Sequence, residues 1–124
     1  MSGALDGVRV LDLSTLVQGP QAAAMLHDLG AEVLKIELPE IGDMGRHVGV
    51  IEELGTSVFW EACNRGKRSV TLDLRTDAGR EAFLKLVESS DVVLSNFQPG
   101  TLDGWGLGYC LLYTSPSPRD LYQS

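Results

Sequence analysis

The chain opens with a short apolar, β-branched run, Val8-Arg-Val-Leu-Asp-Leu13, which has the character of a buried strand. A loop over 14–19 follows. Pro20 then sits where a helix accepts its first residue, because the N–H it lacks would go unpaired there. Ala22, Ala23, Met25, Leu26 and Leu29 continue an apolar helix face, and Gly30 ends the helix. Glu32-Val-Leu-Lys-Ile-Glu37 reads as a second strand, which a right-handed crossover makes parallel to the first. Residues 39–55 are polar, glycine-bearing and without clear period, as in a long surface loop. A short helix is expected over 57–64, a turn at Asn64-Arg-Gly-Lys-Arg68, and a third strand over 69–74. Thr76 or Asp77 can cap the next helix, where Ala78, Ala82, Phe83, Leu86 and Val87 recur at helical spacing. Asp91-Val-Val-Leu-Ser-Asn-Phe97 gives a fourth strand, and Pro99-Gly100 turns the chain toward a short helix. This alternation predicts an α/β fold, a Rossmann-like parallel sheet with flanking helices.

The pattern breaks at Cys110. Cys110-Leu-Leu-Tyr-Thr-Ser-Pro-Ser-Pro-Arg-Asp120 sets two prolines where the fold should continue, and it resembles the translation of transposase-type sequencing-adapter DNA. The expected division is therefore 1–109 as the N-terminal part of a larger α/β domain and 110–124 as a non-native tail outside the fold. A sheet ending after its fourth strand would leave an apolar edge open. Setting the tail aside leaves one cysteine, Cys63, which reads as a small buried hydrophobe.

Charge narrows the function. A net charge of −7 argues against nucleic-acid binding, which needs a clustered positive surface. The one basic cluster, Arg65, Lys67 and Arg68, is either a phosphate-steering patch or a solvated turn. No apolar run approaches the roughly 20 residues of a membrane span. Met1 to Asp6 carries neither a basic nor an apolar leader region, so no membrane partner is expected and the cytoplasm is the expected compartment. No metal-ligand spacing appears, and neither His27 nor His47 has a neighbouring pattern that marks it as a ligand or base.

In an open parallel sheet, ligands collect where the strands end at their carboxyl side. Three segments should lie there: 14–20, 73–76 and 96–100. No dinucleotide fingerprint or Walker sequence follows any strand, and Gly104, Gly106 and Gly108 have the wrong spacing. An ordered set of segments carries a more specific signal. These are Leu5-Asp-Gly-Val-Arg-Val-Leu-Asp-Leu13, Gly19-Pro20, Asp28-Leu-Gly-Ala-Glu-Val-Leu-Lys-Ile-Glu37, Gly42-Asp43 with Arg46, Asn64-Arg-Gly-Lys-Arg-Ser69, Leu72-Asp-Leu74, Asp91-Val-Val and Asn96-Phe-Gln-Pro-Gly100. Together they resemble the N-terminal part of the class III CoA-transferases, the CaiB/BaiF family, which includes formyl-CoA transferase and α-methylacyl-CoA racemase.

The resemblance implies a truncated part of a larger two-domain fold that forms an interlocked homodimer. It implies coenzyme A or acyl-CoA as substrate, a carboxylic acid as second substrate, and no tightly bound cofactor. The catalytic aspartate would lie beyond residue 109, so no catalytic residue is assigned within the chain. By position, Val17 and Gln18 fall in the first CoA-contacting loop, Leu72, Asp73, Leu74 and Arg75 in the second, and Asn96, Phe97 and Gln98 in the third. Arg75 is either a phosphate partner through a charge-assisted hydrogen bond or a solvated arginine near a helix start. Asn96 is either a ligand contact or a turn residue, while Leu72 and Phe97 suit packing and Asp12 suits a structural role. Two positions depart from relatives: Leu38 and Gly104 stand where formyl-CoA transferases or other members have basic residues, and Arg46 is a candidate substitute. Within the same resemblance, a racemase and a non-catalytic acyl-CoA-binding fragment are the alternatives to a transferase.

Overall fold

The structure is a computed structural model that describes residues 3–108 and the backbone of 122–123. Its centre is a parallel sheet of β1 (Arg9–Asp12), β2 (Glu32–Glu37), β5 (Arg68–Thr71), β6 (Val92–Leu94) and β7 (Tyr122–Gln123), in spatial order β5-β2-β1-β6-β7. Val10 is paired with Val33 on one side and with Val92 on the other, so β1 is the central strand. Helix α1 (Gln18–Asp28) links β1 to β2, and α3 (Asp77–Glu88) links β5 to β6. These two connections run in opposite directions across the sheet, so right-handed crossover puts their helices on opposite faces. The core divides accordingly. Leu11, Ile36 and Val93 pack with Phe83 and Val87 of α3, whereas Val10, Val33 and Leu94 pack with Ala23 of α1.

The strand Glu32–Glu37 lies where the sequence places it, while the other strands are shorter than expected. Helix α1 starts two residues before Pro20. Proline fits there just as well, because every N–H of a first helical turn lacks an intrahelical partner. Thr76 caps α3, its Oγ1 accepting from the Gly79 N–H at 3.1 Å. Ser57 likewise caps the short α2 (Val58–Cys63), whose Cys63 is buried.

The segment read as a featureless loop contains a 3-10 turn at Met44–His47 and a small antiparallel ladder, β3 (Val50–Ile51) with β4 (Thr56–Ser57). Two-residue strands offer no alternation to read. Val50, Leu54, Val58 and Phe59 around this hairpin are exposed apolar side chains. At the other side of the sheet, the edge expected to stay open carries β7, which pairs Tyr122 and Gln123 in parallel with Val93 and Leu94. The short helix expected after Pro99-Gly100 is α4 (Thr101–Gly104), which buries Leu102 in the core. Among the described residues no helix is long and apolar enough to cross a membrane.

Candidate functional site

Because β1 sends its helix toward β2 while β6 lies on its other flank, the carboxyl edge between β1 and β6 is a topological switch point, the place where open α/β sheets form a ligand crevice. Val17 and Gln18 stand on one lip, exposed at the start of α1, and no side chain caps that helix. Asn96, Phe97 and Gln98 form the other. Asn96 joins the two: its Oδ1 accepts from the Thr15 N–H at 2.9 Å and its Nδ2 donates to the Thr15 carbonyl at 2.8 Å. It is thus a clasp between loops rather than a residue bonded to its own turn. Gly19 permits the close approach, since a Cβ there would overlap the Ser14 side chain and crowd Asn96. Phe97 is half-buried and packs edge-on to Trp105 with ring centroids 5.3 Å apart, and Gln98 is exposed.

The second predicted loop follows β5 at the far side of the sheet. Leu72 packs against the core, as its packing reading expects, and Leu74, a candidate contact by resemblance, is itself a core residue. Arg75 is exposed, and its guanidinium is engaged by Asp73, Nε to Oδ1 at 2.8 Å and Nη2 to Oδ2 at 3.0 Å. Hydrogen bonding from Arg75 holds the Asp73 carboxyl below its ordinary range. A phosphate arriving here would have to share those donors with Asp73.

Beneath the crevice lies a set of buried charges that sequence reasoning treated separately. Asp12 Oδ2 is 2.7 Å from Lys67 Nζ and 3.7 Å from Lys35 Nζ, and Asp43 Oδ2 is 2.6 Å from Lys35 Nζ. All four side chains are 2% exposed or less. Lys67 also donates to the Pro20 carbonyl at 2.9 Å and to Asn64 Oδ1 at 2.8 Å. Burial pushes the Lys67 ammonium below its ordinary pKa, and Asp12 opposes that shift. The basic cluster therefore disperses. Lys67 points inward, Arg65 pairs with Asp28 and Arg68 with Glu32, so it forms neither a phosphate patch nor a uniformly solvated turn. The expectation for Asp12 agrees with this placement, whereas Lys35, Asp43 and the inward course of Lys67 were missed. A lysine inside an apolar strand was the available signal, because a buried charge needs a partner.

Arg46 is committed to Glu37, with Nε to Oε2 at 2.9 Å and Nη2 to Oε1 at 2.8 Å, and lies 3.5 Å from the centre of the Trp60 ring. Burial raises the Glu37 pKa, but hydrogen bonds from Arg46, Ser69 and the Asp43 amide outweigh it and bring the value to about 2. Cavities lie elsewhere among the described residues. One of about 260 Å³ lies at the amino ends of the strands, between Arg9, Glu32 and Asp91, and an apolar one of about 420 Å³ lies against the hairpin at Leu54 and Val58. Neither includes the candidate residues. Among the described residues no group of three or more His, Cys, Asp or Glu side chains is placed to hold a metal.

The fold is that of a Rossmann-like α/β protein with a topological switch point at the carboxyl edge of its sheet. The profile of CoA-transferase family III matches residues 5–114, and the chain belongs to that family. It is 46% identical over 105 residues to a succinyl-CoA–D-citramalate CoA-transferase of Chloroflexus aurantiacus, covering 85% of this chain and 26% of that protein. It is 47% identical over 111 residues to a succinyl-CoA:mesaconate CoA-transferase of Haloarcula hispanica, covering 86% of this chain and 28% of the relative. The crystal structure of a CaiB/BaiF family protein from Brucella suis superposes with a TM-score of 0.82 at 44% identity, over 91% of this chain and 31% of the other. The chain thus spans about a quarter of the length of these curated relatives.

Proposed function

We propose that the chain is the coenzyme A-binding N-terminal segment of a cytoplasmic, homodimeric enzyme that moves CoA from an acyl-CoA to a carboxylic acid. The observation that carries this reading is the clasped pair of loops at the switch point, in a chain of CoA-transferase family III. The first-turn N–H groups of α1 have no side-chain cap, and such groups suit an anion. Val17, Gln18, Asn96, Phe97 and Gln98 line the crevice, with Leu72 to Arg75 offering a second, peripheral contact. The names of the relatives favour a transferase over a racemase. The exposed apolar hairpin is consistent with a surface covered by the rest of the enzyme or its second subunit.

The chemistry requires an aspartate supplied from outside this segment. Its carboxylate attacks the thioester carbonyl, a C–O bond forms, the C–S bond breaks, and CoA thiolate leaves an aspartyl anhydride. The thiolate then attacks the aspartyl carbonyl, releasing the donor acid and forming an enzyme–CoA thioester. Covalent catalysis divides one difficult transfer into easier steps. Incubating the complete enzyme with acyl-CoA and hydroxylamine should leave a hydroxamate on one aspartate, detected by peptide mass. No hydroxamate during turnover, together with solvent deuterium entering a 2-methylacyl-CoA, would assign the protein to racemisation instead.

A further inference from the structure

The β1–α1 loop is held in a conformation its own sequence disfavours. Leu16 has φ of 71°, in the left-handed region that bulky L-residues avoid. It is 44% exposed, so packing of its side chain does not account for the kink. The backbone leading into it is gripped by one buried ion pair. Asp43 Oδ1 accepts from the Leu16 N–H at 2.8 Å and from the Gly45 N–H at 2.7 Å, while its Oδ2 faces Lys35. Lys35 Nζ in turn donates to the Ser14 carbonyl at 2.9 Å. With Asn96 holding both backbone groups of Thr15, three consecutive residues are fixed by side chains from three different segments. Val17 and Gln18 come next in the chain.

We propose that Asp43 and Lys35 are positioning residues for CoA: their buried pair imposes the left-handed turn at Leu16 and thereby aims Val17, Gln18 and the start of α1 into the crevice. This rests on the proposed CoA site. It goes beyond that site because neither side chain is among the residues proposed to contact CoA; both act on the backbone of the loop that carries Val17 and Gln18. A preset loop spares the ligand the cost of ordering it, so the effect belongs in affinity.

The test uses the complete enzyme. Asp43→Ala leaves Lys35 near Asp12, so the lysine keeps a counter-charge. It should weaken CoA binding in calorimetry by roughly ten- to a hundredfold, the equivalent of one charge-assisted hydrogen bond. KM for acyl-CoA should rise with it, and kcat should change much less. Adding Leu16→Gly to Asp43→Ala should restore part of the lost affinity, because glycine takes the left-handed conformation without steric cost. A purely structural role predicts the opposite, a further loss. Asp43→Asn, which retains an acceptor but not the charge, should fall between Asp43→Ala and the unsubstituted enzyme and covers the case in which Asp43→Ala does not fold. Either folded Asp43 variant binding CoA as tightly as the unsubstituted enzyme overturns the proposal, as does further weakening by Leu16→Gly. Amide exchange without CoA separates this failure from failure of the site itself. Exchange over 16–18 should accelerate in Asp43→Ala while β1 stays protected, and unchanged exchange overturns the clamp whether or not CoA binds.

Discussion

Replacing Asp12 with alanine is expected to destabilise the fold by about 3–5 kcal/mol, the cost of leaving a buried charge without its partner. Asp12 is fully buried and is the anion that Lys67 reaches at 2.7 Å, with Lys35 also nearby at 3.7 Å. Without it, two buried ammonium groups share Asp43 alone, and the Ser14 N–H and hydroxyl lose the acceptor Asp12 provides. Such a loss is a large part of the 5–15 kcal/mol that stabilises a typical domain. Thermal unfolding of the complete enzyme, about four times as long as this segment, should shift down by roughly 4–6 °C. The informative control is the double substitution Asp12→Asn with Lys67→Met, which removes both charges and keeps an acceptor for Ser14. It should be less harmful than Asp12→Ala, because no unpaired charge remains. A melting temperature for Asp12→Ala within about 2 °C of the unsubstituted protein would show that the network is not a structural support.

Acid should unfold the protein partly through Glu37. Its carboxyl titrates at about 2 in the folded protein against an ordinary 4.5. A depressed carboxylate pKa stabilises the fold fully above the unfolded value, and that contribution fades as pH falls through the folded value. The window is therefore pH 4.5 down to 2, and the contribution is about 3 kcal/mol. The side chain is 5% exposed, so solvent screens this contribution little. Glu37→Gln should be less stable at neutral pH and should show a flatter decline between those limits. Arg46→Met, which removes the guanidinium paired with both carboxylate oxygens, should flatten the same arm. Identical acid profiles for the variants and the unsubstituted protein would contradict this assignment.

Legibility in the sequence followed the range of the interactions. The run from Glu32 to Glu37 announces β2 because apolar residues concentrate where parallel strands are covered on both faces. Thr76 and Ser57 announce helix starts because a cap acts within three residues. Asp12 and Lys35 signal buried charge, but their partners are not local: Lys67 lies 55 positions from Asp12. Asp73 is only two residues from Arg75, yet the ion pair between them is not legible from that spacing alone, because the resemblance drew attention to Arg75 as a phosphate partner or a solvated side chain. Asn96 is a candidate ligand contact by resemblance, while its task of holding Thr15, 81 positions away, needs the folded sheet to be seen. The hairpin at 50–57 escaped because its two-residue strands are too short for a period to register.

The position of coenzyme A in a crystal of the complete enzyme bears most directly on this account. The nucleotide part should lie against the crevice, with polar atoms within hydrogen-bond distance of residues 17–18 and 96–98. Coenzyme A found instead in the cavity at the amino ends of the strands, beside Arg9 and Asp91, would contradict it.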